Sequence, residues 1–109
     1  MPQNRVAAIE IYTFDASGLT GGFDELVDEL PEACSIIRVV NTSSSPVFIS
    51  YDGVNHHDYV PVTTALQLDF QTNNRPRSHT ALMAKGQKVY LVGEAGQGYI
   101  YFIGYYSTY

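Results

Sequence analysis

Short stretches with the composition of β-strands, rich in β-branched and aromatic residues, recur along this chain of 109 residues. They read VAAIEIYTF, CSIIRVVN, PVFISY, TALQLDF, HTALMA, KVYLVG and GYIYFIGYY. Polar segments with Gly or Pro separate most of them, at intervals of about 8–12 residues that are typical of an antiparallel sandwich or small barrel. The sequence therefore predicts an all-β protein, an antiparallel β-sandwich or jelly roll of about seven or eight short strands, with a single domain covering residues 1–109.

One acidic segment near the N-terminus departs from this pattern. In FDELVDELPE, residues 23–32, the apolar residues Phe23, Leu26, Val27 and Leu30 have the i, i+3, i+4, i+7 spacing of a helix face. Pro31 would end such a helix, because a proline within a helix removes a hydrogen bond and clashes with the preceding turn. The segment is therefore expected to form either a short helix or an irregular acidic excursion.

Composition favours a folded, mildly acidic domain. The chain has 6 basic and 11 acidic residues, a net charge of −5, and 45% hydrophobic against 16% charged residues. This balance argues against nucleic-acid binding, which needs clustered Lys and Arg. No apolar stretch approaches the length of a membrane span, and MPQNRVAAIE lacks the apolar region of a signal peptide. The single cysteine, Cys34, is expected to be a small buried core residue.

Two polar segments invite chemical interpretations. SYDGVNHHDY offers Asp52, Asn55, His56, His57 and Asp58, which are possible metal ligands, but the spacing does not fit an EF-hand and adjacent histidines on an extended backbone point to opposite sides. We interpret it as a hairpin connection, with a tight turn at Asp52-Gly53. GEAGQG resembles a phosphate-binding loop, but β-patterned sequence follows it rather than a helix and a Lys, so we interpret it as a hairpin turn.

The sequence carries no catalytic signature that we can identify. No serine lies in a G-x-S-x-G context. Asp24, Glu25, Asp28 and Glu29 all lie in the acidic segment 23–32, and such a segment usually forms a solvated face and not a catalytic pair of carboxylates. We therefore predict that the protein is not an enzyme, and we assign it no catalytic residue, cofactor or metal.

The C-terminal stretch GYIYFIGYYSTY contains five tyrosines in twelve residues and no charge. On an extended strand, Tyr99, Tyr101, Ile103 and Tyr105 project to one face and the intervening residues project to the other, so both faces are apolar. A sandwich strand normally needs only one such face. The second face is expected to be covered by the protein, to contact another polypeptide, or to bind sugar.

The run from IIRVVNTSSSPVFISYDG through LDFQTNN to KGQKVYLVGEAGQGYIYFIGYY, in residues 34–106, resembles small virion proteins of tailed bacteriophages. The resemblance implies a β-sandwich or jelly roll present in many copies, most simply a capsid cement or decoration protein that bridges major capsid subunits. A neck, tail or baseplate component is the alternative in this class. The implied partners are the phage major capsid protein or other virion subunits and further copies of the chain, and the implied location is the virion. The acidic segment 23–32 is not part of the resemblance.

Interface residues are predicted from the same resemblance and from the loop NNRPRSH. Its Arg75 and Arg77 flank a stiffening proline and present planar guanidinium groups that suit carboxylates on a partner. With Tyr105, Tyr106 and Tyr109 they form the predicted partner interface. The hypothesis from another class is a carbohydrate-binding module, which would use surface tyrosine rings together with Asp52 and Asn55.

Overall fold

The structure is a computed structural model and describes residues 5–69 and 83–108. The described residues form nine β-strands and one turn of 3-10 helix at Ala16–Gly18. The strands are β1 (Arg5–Ala8), β2 (Tyr12–Asp15), β3 (Asp24–Val27), β4 (Ile36–Asn41), β5 (Val47–Ser50), β6 (Asp58–Val60), β7 (Thr64–Asp69), β8 (Val89–Val92) and β9 (Tyr99–Thr108).

The strands form two antiparallel sheets with jelly-roll connectivity. In sheet A, β9 pairs with β4 on one side and with both β1 and β2 on the other, and β4 pairs with β7. Sheet B has the order β3-β8-β5-β6. Because β1 and β2 act as one interrupted strand, each sheet is effectively four-stranded, and every connection except β1–β2 and β5–β6 passes from one sheet to the other. The predicted all-β sandwich or jelly roll is confirmed.

The core lies between the two sheets and is built from alternate residues of each strand. Sheet A contributes Ile37, Val39, Ile100 and Phe102, which are at most 1% exposed. Sheet B contributes the fully buried residues Val47, Ile49, Val89 and Leu91. Burying each such side chain stabilises the fold by about 1.5–3 kcal/mol. The side chains that alternate with them project from the outer faces, which are therefore the surfaces available for binding.

The acidic segment forms a strand, so the prediction of a short helix or an irregular excursion is wrong. Strand β3 pairs with β8, with a register shift between Glu25 and Val27. This irregularity lets the consecutive residues Leu26 and Val27 both be buried. The spacing that suggested a helix face thus also suits a bulged strand, and the strand gains backbone hydrogen bonds along the edge of β8.

A buried polar network holds the β4–β5 connection, which the sequence suggests only as a polar spacer. The Asn41 amide is fully buried and donates to the carbonyl oxygens of Ser45 and Val60, at 2.9 and 3.2 Å. Its side-chain oxygen accepts from the Ser43 backbone N–H at 2.9 Å. The Ser45 hydroxyl donates to the Glu94 carbonyl at 2.6 Å. These bonds fix the loops at one end of the sandwich, because breaking one leaves a buried group unsatisfied.

Other connections also differ from the expectations. GEAGQG joins β8 of sheet B to β9 of sheet A, so it is a crossover between sheets and not a hairpin turn. The first predicted strand is interrupted between β1 and β2, and the three-residue strand β6 follows the predicted β5–β6 hairpin connection. Within that connection Gly53 has a φ of 75°, as the predicted tight turn requires. The predicted loop QTNNRPRS and most of the predicted strand HTALMA lie outside the described residues.

Candidate functional site

The outer face of sheet A carries a row of tyrosines. Ile100, Phe102 and Gly104 of β9 are buried against the core, so the alternate residues Tyr99, Tyr101, Ile103 and Tyr105 lie on the outer face, and we call these four the tyrosine face. Tyr99 is 47% exposed and the other three are partly exposed. On the neighbouring strand β4 the partly exposed residues opposite them are Ile36, Arg38 and Val40. Between β9 and β4 the surface is thus aromatic and aliphatic, with one cationic side chain. On the other side of β9, the exposed residues Thr13 and Asp15 of β2 lie opposite Tyr101 and Tyr99.

The predicted interface residues are divided by this arrangement. Tyr105 belongs to the tyrosine face. Tyr106 points to the other side of β9, packs against the core and lines a cavity of about 500 Å³ beside the break between β1 and β2. Arg75, Arg77 and Tyr109 lie outside the described residues. The structure therefore places Tyr105 and Tyr106 on opposite faces of one strand, and they cannot belong to a single flat contact surface.

A second aromatic surface lies on the outer face of sheet B. Phe48 projects from β5 and stacks on His56, with ring centres 4.7 Å apart and an interplanar angle of 25°. Tyr59 of β6 approaches Phe48 with ring centres 4.9 Å apart. Phe23 makes edge-to-face contacts with His56 and with Tyr90 of β8, at 5.8 and 6.4 Å. We call these five residues the aromatic patch.

Much of the aromatic patch is open to solvent. Phe23 and Phe48 are each 39% exposed and Tyr59 is 51% exposed. A shallow cavity of about 350 Å³ adjoins the patch, and its lining includes Phe48, His56, Val92 and Glu94. Contacting aromatic rings with polar groups at their border are the usual composition of a protein-binding or ligand-binding surface.

The β5–β6 connection that carries His56 is rigidly built. The Asp52 carboxylate accepts hydrogen bonds from the backbone N–H groups of Val54 and Asn55, at 2.8 and 2.9 Å, and from the side chains of Asn55 and Ser50. The two backbone bonds hold the pKa of Asp52 well below its usual range. Asp52 and Asn55, which the sugar-binding hypothesis invoked, therefore bond to each other within the loop.

The two adjacent histidines have different surroundings, as the extended-backbone argument predicted. His56 belongs to the aromatic patch, whereas His57 stacks on Tyr51 with ring centres 5.4 Å apart. The Tyr51 backbone N–H donates to His57 Nδ1 at 3.0 Å, which requires that nitrogen to be unprotonated. The Tyr51 hydroxyl donates to Asp58 Oδ2 at 2.7 Å, and burial together with this bond raises the pKa of Tyr51. These contacts fix both ends of the loop that positions His56.

Sequence reasoning missed most of these surface residues. Phe23, Tyr59 and Tyr90 lie far apart in the chain, and only the fold brings them together with Phe48. A partial signal existed at Phe48, because the alternation of β5 places it on the face opposite Val47 and Ile49. Arg38 was missed because its neighbours indicate only a buried strand.

In the part of the chain that the structure describes, no helix is long and apolar enough to cross a membrane. Among those same residues no three His, Cys, Asp or Glu side chains group as a metal site would require. Comparison with protein-family models, with curated proteins and with solved structures finds no match to this chain. The fold and the two surfaces together define a jelly-roll protein with an aromatic surface on the outer face of each sheet.

Proposed function

We propose that the chain is a non-enzymatic structural protein of a phage virion, of the capsid cement or decoration class, that bridges and stabilises major capsid subunits. One observation supports this most directly: the tyrosine face and the aromatic patch lie on the outer faces of the two sheets, and so on opposite sides of the sandwich. A protein that joins two neighbours needs two contact surfaces, and this arrangement supplies them.

The chemistry of both surfaces suits contact with protein. Tyr, Phe and Arg are enriched in the cores of protein interfaces, where a buried aromatic anchor can contribute 2 kcal/mol or more, as a rough figure, to binding. Tyr101, Arg38 and Phe48 are residues of this kind. The fixed loops reduce the entropy lost on binding, because the surface is already ordered. A protein that binds only the assembled lattice stabilises that lattice by mass action.

The first experiment measures co-sedimentation of the purified protein with assembled capsid shells and with unassembled major capsid subunits of the phage that encodes it. Saturable binding to shells, with weaker binding to free subunits, is the expected result. Purified tails form a third arm, because binding there alone would indicate the neck, tail or baseplate alternative. Binding to none of the three would overturn the proposal.

Matched variants connect this binding to the two surfaces. Phe48→Ser removes the centre of the aromatic patch, and Tyr101→Ser removes a central ring of the tyrosine face. Val62→Ser is the control, because Val62 is 40% exposed, close to the 39% of Phe48, but belongs to neither surface. Each of the first two changes should weaken shell binding at least about tenfold, which corresponds to about 1.4 kcal/mol. Equal binding by all three variants would contradict the assignment of the surfaces.

Carbohydrate binding is a second candidate, favoured by the exposed Phe48 and Tyr59 rings beside the cavity that Glu94 lines. Sugar rings stack on exposed aromatic faces, and a carboxylate can accept bonds from their hydroxyls. A glycan array and thermal melting with the oligosaccharides that bind would test it. A melting shift that Tyr59→Ser abolishes and Tyr101→Ser leaves unchanged would favour this function over assembly.

A further inference from the structure

Edge strands expose unpaired backbone groups, and proteins usually protect them against pairing with other chains. Three of the four sheet edges formed by the described residues carry such protection. The β1/β2 edge is interrupted at residues 9–11. Strand β3 is acidic and irregular in register, and β6 has only three residues and is followed by Pro61. The fourth edge is β7.

Strand β7 lacks these protective features apart from one acidic residue, Asp69, at its end. Its six residues, Thr64–Asp69, pair with β4 in continuous register, and they include no Pro, Lys or bulge. Leu66 and Leu68 point toward the core side of the sheet but are only half-buried. Their partners on β4, Val39 and Ile37, are 0% and 1% exposed. The β7 edge therefore leaves both backbone hydrogen-bonding groups and leucine surface uncovered by the described residues.

We propose that β7 pairs with β7 of a second copy of the chain, antiparallel and about a two-fold axis that passes beside Gln67. A two-fold axis perpendicular to the sheet keeps each face on its own side, so opposing residues share a face. Gln67 then lies opposite Gln67 of the second copy. Leu66 lies opposite Leu68 of the second copy, and this contact occurs twice, so all four leucines become covered.

A second copy suits this edge for two further reasons. The only ionisable residue in β7 is Asp69, which this register places opposite the neutral Ala65 of the second copy, so no like charges oppose each other. The outer-face row Tyr101–Val40–Ala65 would also continue, through Asp69 and Ile36 of the second copy, into the second sheet A, so the outer faces of the two sheets would become one surface. This inference does not depend on the proposed virion function, because it rests on the strand edge alone.

The test is light scattering after gel filtration over a wide concentration range, with the unmodified protein and with Gln67→Asp and Gln67→Lys. Gln67 is exposed, and only Gln67→Lys places a like charge opposite Arg38 of the same chain, so circular dichroism would verify that both variants are folded. Each variant places two like charges opposite each other and should weaken the dimer at least about tenfold. An equal mixture of the two variants should restore a dimer, because aspartate then faces lysine.

A disulfide experiment tests the register. Gln67→Cys should form an intermolecular disulfide under mild oxidation, because directly opposed residues have Cβ atoms about 4.5–5.5 Å apart, which a small movement of the two edge strands brings within bridging distance. Thr13→Cys, an exposed position on β2 at the other side of sheet A, is the control and should not crosslink. Any one of three results would overturn the proposal. The unmodified protein could remain monomeric up to about 1 mM, neither charged variant could weaken the dimer, or the two cysteine variants could crosslink equally.

Discussion

Replacing Gly104 with alanine tests how tightly the core packs beneath β9. Gly104 is buried, and its carbonyl accepts a hydrogen bond from the Ile9 backbone N–H at 3.0 Å. A Cβ atom added there would lie 2.8 Å from Cys34 Sγ and 3.1 Å from Ile9 Cδ1. The optimal distance between such non-bonded atoms is about 3.5–4.0 Å, so the new methyl group and the sulfur must move apart by about 1 Å. Cys34 is fully buried, which leaves the sulfur little room to move.

The expected cost follows from two opposing effects. Overpacking of a dense core typically costs about 1–3 kcal/mol. The φ of Gly104 is not positive, so alanine fits the backbone and recovers about 0.4–1 kcal/mol by restricting the unfolded chain. We therefore expect Gly104→Ala to lower the free energy of unfolding by about 1–2 kcal/mol.

The assay is urea unfolding followed by circular dichroism under reducing conditions. Gly22→Ala is the control, because its Cβ would meet nothing closer than Thr20 Oγ1 at 3.8 Å and its φ is not positive. That change should be neutral or slightly stabilising. Cys34→Ala removes the sulfur and should cost about 1 kcal/mol by leaving a small cavity. The double variant should then be more stable than the sum of the single changes predicts, by about 1 kcal/mol, because the new methyl group occupies the space that the sulfur left.

The coupling between positions 34 and 104 shows whether their contact limits the packing of the core. Changes at independent sites add to within about 0.3–0.5 kcal/mol. If the free-energy changes of the two single variants added up to that of the double variant within this range, the contact between Gly104 and Cys34 would not be what destabilises Gly104→Ala. If Gly104→Ala were as harmless as Gly22→Ala, the packing of β9 against Cys34 would be looser than the structure shows.

Four further predictions concern buried or bonded polar groups. Asn41→Ala should lower the free energy of unfolding in urea by about 1–3 kcal/mol, because the carbonyl groups it serves are left unsatisfied; an unchanged midpoint would contradict the network. The Cys34 thiol should react with a thiol reagent only when the protein unfolds, because burial raises its pKa, and fast labelling of the native protein would refute this. Asp52→Ala should destabilise the protein at neutral pH, and its stability difference from the unmodified protein should shrink as the pH falls below 3.8, the ordinary pKa of the carboxyl. The reason is that the lowered pKa of Asp52 stabilises the fold only while the carboxyl of the unfolded chain is ionised. Thermal melting at several pH values would check this, and a stability difference that does not change with pH would contradict it. Tyr51→Phe should reduce the loss of stability as the pH rises above 10.0, because the raised pKa of Tyr51 keeps its phenol protonated in the folded protein after the same phenol ionises in the unfolded chain. Melting curves at alkaline pH would show this, with Tyr59→Phe as the control. Identical curves for the two variants would refute it.

The parts of the fold that the sequence predicts are those in which burial follows strict alternation. Strands β4 and β9 have core residues at every second position, and both were predicted as strands from their β-rich sequence. The pattern fails for β3, where a bulge buries the consecutive residues Leu26 and Val27, and for β6, which is too short to show a period. The crossover at GEAGQG is also invisible locally, because a turn within a sheet and a turn between sheets have similar compositions.

The candidate surfaces were less predictable, because they depend on contacts between distant parts of the chain. Asn41 and Ser45 have the composition of an exposed polar loop, and only the carbonyl groups of Val60 and Glu94, reached by the fold, make them a buried network. The tyrosine face was correctly divided from the core face by alternation. Which of the two faces met the core could not be decided, since both are apolar in the sequence.

The arrangement of the exposed rings, more than their number, is what requires an explanation. Single exposed apolar side chains are normal on soluble proteins. Here Phe23 and Tyr59 are joined through His56 and Phe48 into one contiguous surface, and the tyrosine face forms a second surface on the opposite side. Contiguous apolar surface is costly in water and usually marks a binding site. Since hydrogen bonds of Asp52 and Tyr51 hold the loop that carries His56, the patch is already formed before any partner binds, which favours a permanent contact surface over an accident of exposure.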